Sequence, residues 1–506
     1  MCRSVTDKLS GQKKSDRCIV LSHKRHGTEK VMKRKIVAVF LCGSILLSAA
    51  SCGNREQHAV SKTESNTETT EISPETTEQP RQTTETTEQP RQTAENDGTE
   101  QPTAEAAETE AVKFVDYLTE NGSGIAREVQ PAYGIKEFYA KQRDGSDLRW
   151  YDCSLLSEQE ETELLENPLE IAFNEDTVFT EALEQALQPE LLMENGKNPG
   201  LGVRQLHEEG INGSGVGIAI IDQRLYTGHP EYASKIKLYE EMNILPEGEA
   251  TMHAAALASI SVGEECGVAP GADLYFWAYN NLKSESLNND SYEETDINYA
   301  GYAKVIDRIL EVNENLPENE KIRVIAISKG YDYSGNSYGV RAEIRELLEA
   351  VRRAEEAGIF VVTTSTGKNY SFFSPEQKKA PFAGLAKIDP AGDMEDAENY
   401  TLGFWQWENA QNYEQSVLIP MDNRTTADFT GDTYVYYIDG GWSWTVPYIA
   451  GVYALCAQVR EDITPELFYE AAWETSTEIV RNQEEGGREY TFHVINPWGM
   501  IEYLEH

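Results

Sequence analysis

Sulfur and imidazole are scarce in this chain, with seven cysteines and eight histidines among 506 residues. Cys2, Cys18, Cys42 and Cys52 all precede the first globular stretch, which leaves Cys153, Cys266 and Cys456 widely scattered. Three dispersed thiols make no disulfide framework. Cys266 and Cys456 stand among small and apolar neighbours and read as buried free thiols. No Cys/His group has zinc-ligand spacing, so no metal and no cofactor is expected. Positive charge is also short: 44 Lys and Arg face 86 Asp and Glu, a formal charge of −42, and eleven of those basic residues crowd into residues 1–35. The remaining chain is strongly acidic and repels polyanions, so nucleic acid is excluded as a partner. Long apolar runs are missing as well. The stretch Ile36–Leu47 is uncharged, but it is shorter than a bilayer requires.

That stretch has the length of a signal-peptide core, and the basic Met32-Lys33-Arg34-Lys35 precedes it. It closes on Leu47-Ser48-Ala49-Ala50-Ser51-Cys52-Gly53. Small residues before a cysteine resemble the bacterial lipoprotein signal, with Ala49 where leucine is more usual. The resemblance implies cleavage before Cys52, a lipid on its thiol, and a membrane anchor at the outer face of a bacterial cell. Met32 reads as the natural start. From Cys52 to about Ala111 the chain is Thr, Glu, Gln and Pro, with Glu75–Thr83 repeated at Glu85–Thr93. So few large apolar side chains cannot offset the entropy of ordering, and a disordered tether is expected.

The domain boundaries follow: 1–51 for leader and signal, 52–111 for linker, 112–195 for an N-terminal extension or prodomain, and 196–506 for the main domain. The extension mixes short strand candidates, Phe138–Ala140 and Arg149–Tyr151, with acidic helical pieces such as Glu158–Leu165. Beyond it the pattern sharpens. Val216–Ile221 is a continuous apolar run with β-branched residues, as a strand covered on both faces requires, and Leu274–Ala278, Ile322–Ile327 and Ile359–Thr363 are similar runs. Helix-period segments Tyr302–Val312 and Val340–Glu356 alternate with the later runs. The spacing predicts an α/β fold, a parallel sheet with helices on both faces. Such sheets place their sites at the carboxyl ends of the strands, which directs attention to Asp222, Ser328 and Gly367–Asn369.

Four segments, in order, resemble the subtilisin-like serine peptidases. They are Gly213–Asp222, a glycine turn and strand ending in aspartate; His253–Ser259, a histidine opening a small-residue helix; Gly267–Leu274; and Gly441–Gly451, Gly-Trp-Ser-Trp-Thr-Val-Pro-Tyr-Ile-Ala-Gly. The order Asp, His, Ser is the one that family uses. The resemblance implies a subtilisin-like parallel sheet and a serine endopeptidase that acts through an acyl-enzyme; with the signal before Cys52, the enzyme is expected to be extracellular and lipid-anchored. Its substrate would be a peptide or protein, and a monomer is expected.

The chemistry supports those roles independently. A serine hydroxyl needs a neighbouring imidazole to take its proton, and the imidazole needs a carboxylate to fix its tautomer. Ser443 is the candidate nucleophile, His253 the base and Asp222 the orienting group. A helix begun at Ser443 would aim its N–H at an oxyanion. Ile327-Ser328-Lys329-Gly330 resembles the family's substrate-pairing edge, so Ser328 and Gly330 are candidate substrate contacts.

Several positions depart from the pattern. In Thr364-Ser365-Thr366-Gly367-Lys368-Asn369, Lys368 aligns with the family's oxyanion amide and Asn369 follows one residue later. Asn369 is the expected donor, with Lys368 the alternative. Loss of both would leave a weak enzyme or a binding protein on the same fold. Gln223-Arg224 replace a small polar residue and glycine, and Trp442 and Trp444 flank the serine, which would reshape the cleft. Calcium often stabilises this family, but no EF-hand-like ligand run is visible.

Overall fold

The computed structural model describes residues 113–116, 129–132, 146–244, 248–283, 286, 293–330, 338–364, 382–483 and 487–506. The signal, Cys52, the linker and Phe138–Ala140 lie outside the described residues.

The alternation of apolar runs and helices folds as a six-stranded parallel sheet. Its spatial order is Lys113–Asp116, Ile236–Met242, Asp273–Tyr279, Gly217–Asp222, Ile322–Ile327 and Phe360–Thr363. The central strand, Gly217–Asp222, shows why such a run is continuously apolar. Ile218 and Ile220 project into one core, and Ala219 and Ile221 into a second core on the opposite face. Each side chain is removed from water, so polar alternation has no place.

The first face is covered by the helices Met252–Val262 and Thr445–Val459, which pack on each other. Both are apolar over most of their surface, as largely enclosed helices are. On the second face lie Tyr299–Glu314 and Tyr338–Glu356. The latter buries Ile344, Leu347, Val351 and Ala354, the three- and four-residue spacing of an amphipathic helix.

Gly451, on the helix Thr445–Val459, lets that helix lie against Val268, which follows the helix Met252–Val262 in the chain. A Cβ there would stand 2.5 Å from the Val268 Cβ. Gly451→Val should therefore destabilise the fold by about 2–3 kcal/mol through overpacking. A lowered urea midpoint would register this, and an unchanged midpoint would contradict the close approach.

One strand has no mark in the sequence pattern, and one expected strand is a turn. Ile236–Met242 (Ile-Lys-Leu-Tyr-Glu-Glu-Met) is a strand inside the sheet despite two adjacent glutamates, both buried. Glu240 accepts hydrogen bonds from Trp277 Nε1 at 2.7 Å and from Arg308 at 3.1 and 3.2 Å, and Glu241 is held by Arg224 at 2.8 and 3.0 Å. Distant partners make the charges tolerable. Conversely, Arg149–Tyr151 is a turn and not a strand, with Trp150 at φ 58°.

Within the extension, the helix Glu158–Glu166 begins at a capping box formed by Ser157 and Glu160. The described residues 146–197 gather around Leu148, Phe173, Leu183 and Leu192, and Tyr436 from the later chain joins that core. The short strand Phe173–Asn174 pairs antiparallel with Tyr436 and Val435. The 195/196 boundary falls inside the helix Pro189–Lys197, which packs on the strand Arg424–Ala427. Cys153, Cys266 and Cys456 are buried. Among the described residues, no helix is long and apolar enough to cross a membrane.

Candidate active site

The carboxyl ends of the sheet strands carry the candidate residues. Asp222 ends the central strand, and Ser328 directly follows the neighbouring strand Ile322–Ile327. The chain winds one way from the central strand to Ile236–Met242 and Asp273–Tyr279, then crosses to the other side for Ile322–Ile327. Asp222 and Ser328 thus border the crevice at which the winding reverses, the usual ligand position in an open α/β sheet.

His253 enters from the first covering helix. Thr251 caps that helix, its Oγ1 accepting from the Ala254 N–H at 3.3 Å, which fixes the first turn and the histidine on it. The His253 Nδ1 stands 2.7 Å from Asp222 Oδ1, and both side chains are largely buried. A carboxylate only accepts, so Nδ1 carries the proton and Nε2 presents its lone pair. Burial by itself depresses the imidazole pKa. The Asp222 charge and the hydrogen bond outweigh it, and the net shift is upward.

Ser443 lies in a tight turn, Trp442–Trp444, and the regular helix begins at Thr445. The turn follows Gly441 at φ 63°, backbone that favours glycine. Asp439 accepts from the Gly441 N–H at 2.9 Å, and buried Asp422 accepts from the Gly440 N–H at 3.1 Å. Burial, reinforced by the Asp439 charge, raises the Asp422 pKa well above the usual carboxylate range. Nothing in the local sequence marks Asp422 as part of this turn, because it arrives from just after a different strand, Val417–Pro420.

The Ser443 main chain is tied to the sheet. Ser328 Oγ donates to the Ser443 carbonyl at 2.7 Å, while Ser443 Oγ donates to the Ser328 carbonyl at a long 3.5 Å. Two pairs are therefore formed, Asp222 with His253 and Ser443 with Ser328. No hydrogen bond joins Ser443 Oγ to His253, although the Trp442–Trp444 turn packs directly on the His253 helix. Gly330 lies beyond the strand end, its carbonyl accepting from the Tyr299 hydroxyl at 3.4 Å. Trp444 is buried edge-on against Tyr437, while Trp442 lies half-buried beside Tyr413. Lys368 and Asn369 lie outside the described residues. Among the described residues, no group of His, Cys, Asp and Glu is arranged to hold a metal.

No protein-family model matches the chain. Among curated proteins it is similar to the subtilisin-like protease PopC of Myxococcus xanthus, 29% identical over 172 residues. That match takes in 29% of this chain and 34% of PopC, so it spans about a third of the relative's length. Solved structures with some likeness include the prenylagaramide maturation protease PagA, at TM-score 0.39 and 17% identity over 60% of this chain and 98% of that one. The PatG macrocyclase domain follows at 0.38 and 14%, over 60% and 94%. A structure of subtilase cytotoxin SubAB assembly gives 0.40 and 14%, over 60% and 95%.

Proposed function

We propose that this chain is a subtilisin-like serine endopeptidase. The observation that carries the reading is the 2.7 Å Asp222–His253 contact at the carboxyl edge of a parallel sheet, with the Ser443 turn packed on the His253 helix. The partial likeness to PopC is in keeping with it.

In the proposed reaction His253 Nε2 takes the Ser443 hydroxyl proton as Oγ attacks the substrate carbonyl carbon. The tetrahedral oxyanion collapses, the C–N bond breaks, and His253 returns the proton to the leaving amine. Water then repeats the sequence on the acyl-enzyme, releasing the carboxylic acid and free Ser443. The Ser443 N–H and Asn369, or Lys368 in its place, would stabilise the oxyanion, and the Ser328–Gly330 backbone would receive the substrate strand. The enzyme would act on peptides or proteins outside the cell, tethered through a lipid on Cys52.

One observation favours a rival, a binding protein on the same fold without activity: the Ser443 hydroxyl is directed to the Ser328 carbonyl and not to His253. Unliganded peptidases often hold this contact loosely and tighten it with substrate. A fluorophosphonate probe decides between the two. Stoichiometric mass addition at Ser443 is expected. Folded protein that stays unmodified after prolonged exposure would establish the rival.

A further inference from the structure

Two residues beyond Asp222 stands an arginine in place of the small residue that the family pattern would supply. Arg224 is buried, and its guanidinium forks onto Glu241, with Nε to Oε1 at 2.8 Å and Nη2 to Oε2 at 3.0 Å. Glu241 belongs to the strand Ile236–Met242, separated from the Asp222 strand by Asp273–Tyr279. In register, Asp222 and Glu241 both pair with the same residue, Ala278. Arg224 therefore reaches over one strand to grip a carboxylate in the same row as Asp222.

The same residue holds the approach to His253. Arg224 Nη1 donates to the Gly248 carbonyl. Its own carbonyl accepts from the Thr251 N–H at 2.9 Å and from Thr251 Oγ1 at 3.3 Å. Thr251 is the cap of the His253 helix. Glu241 is braced in turn by the Tyr239 hydroxyl at 3.3 Å, and that hydroxyl accepts from the Leu225 N–H at 3.4 Å.

We propose that the Arg224–Glu241 pair is a positioning device for the Asp222–His253 couple, locking the loop that leaves the Asp222 strand to the cap that starts the His253 helix. Buried ion pairs are often replaceable by apolar residues with little change in stability, so geometry is a better account of this one than stability. The inference rests on the couple described above, and its role in catalysis rests on the proposed peptidase reading. Neither residue is expected to touch substrate.

The experiment uses the full chain and two variants of it. Arg224→Met with Glu241→Leu removes the pair without stranding a charge, and Arg224→Lys keeps the charge but loses the two-pronged grip. Proton NMR reads the low-field Nδ1–H resonance of His253 and its titration, for which Asp222 is the facing charge. Fluorophosphonate labelling gives the rate at Ser443 as a function of pH. The double variant should fold with a thermal midpoint near that of the parent. Its low-field resonance should broaden or vanish, its His253 titration should fall toward lower pH, and labelling should slow tenfold or more. Arg224→Lys should move each in the same direction by less, and it decides the matter if the double variant does not fold. A folded variant with unchanged resonance, titration and rate would overturn the proposal. A parent that shows the resonance but never labels would refute the peptidase reading alone, while the resonance still tests the positioning role.

Discussion

His253→Ala should reduce fluorophosphonate modification of Ser443, and hydrolysis of an unfolded protein substrate, by about a million-fold, the order known for loss of the base in a subtilisin-type triad. The size follows from the residue types. At neutral pH a serine hydroxyl is almost wholly protonated, and here its hydrogen bond to the Ser328 carbonyl keeps the proton in place. Without Nε2 no group is positioned to remove it, while the packing around the helix start changes little. Ser443→Ala should show the same loss. Combining the two should cost hardly more than either alone, because they act as one unit. Near-normal hydrolysis in either variant would mean that the activity resides elsewhere in the chain.

Asp222→Asn should slow the reaction by about ten thousand-fold and change its pH dependence. In the parent, His253 must be neutral to act, and its pKa is raised, so the rate should climb with pH through an inflection above the ordinary imidazole value of about 6.5. An amide in place of the carboxylate removes the charge that opposes burial. The imidazole pKa then falls, and the inflection moves to lower pH as the rate drops. Stability follows the same sign. A raised folded pKa contributes stability that is fully present below the unfolded imidazole value and is lost as pH rises through the folded one. The thermal midpoint of the parent, relative to Asp222→Asn, should be highest near pH 5 and should converge as pH rises. An unshifted inflection, or a gap that widens with pH, would show that Asp222 does not govern the charge of His253.

Much of the sheet was legible because burial on two faces leaves a strong mark. Val216–Ile221 holds no polar side chain, Ile322–Ile327 holds only Arg323, which reaches out to the Glu461 carbonyl, and the helix Tyr338–Glu356 repeats its apolar face at regular spacing. The strand Ile236–Met242 was not legible. Glu240 and Glu241 argue for a surface position until Arg308, Trp277 and Arg224 arrive from elsewhere in the chain. Arg149–Tyr151 failed in the opposite sense, since its aromatic content suggests a strand while Trp150 adopts left-handed backbone. In the site, Asp222, His253 and Ser443 stood out by residue type and order. The contribution of Asp422 to the serine turn did not, because it stands 18 positions before Gly440, with the strands Arg424–Ala427 and Tyr434–Tyr437 between them.

The sequence by itself determined the parallel α/β sheet, because a covered strand must be apolar and a polar residue such as Asp222 at its end stands out; His253 and Ser443 became candidates through their order and the resemblance to the subtilisin-like peptidases. Only the tertiary structure decided which of those groups meet. It joins Asp222 to His253, and it turns the Ser443 hydroxyl toward Ser328. It also turns Arg224 from an anomaly after Asp222 into the clasp on Glu241 and Thr251. Hydrogen bonds and ion pairs act over about 3 Å in space, a range that carries no information about separation along the chain.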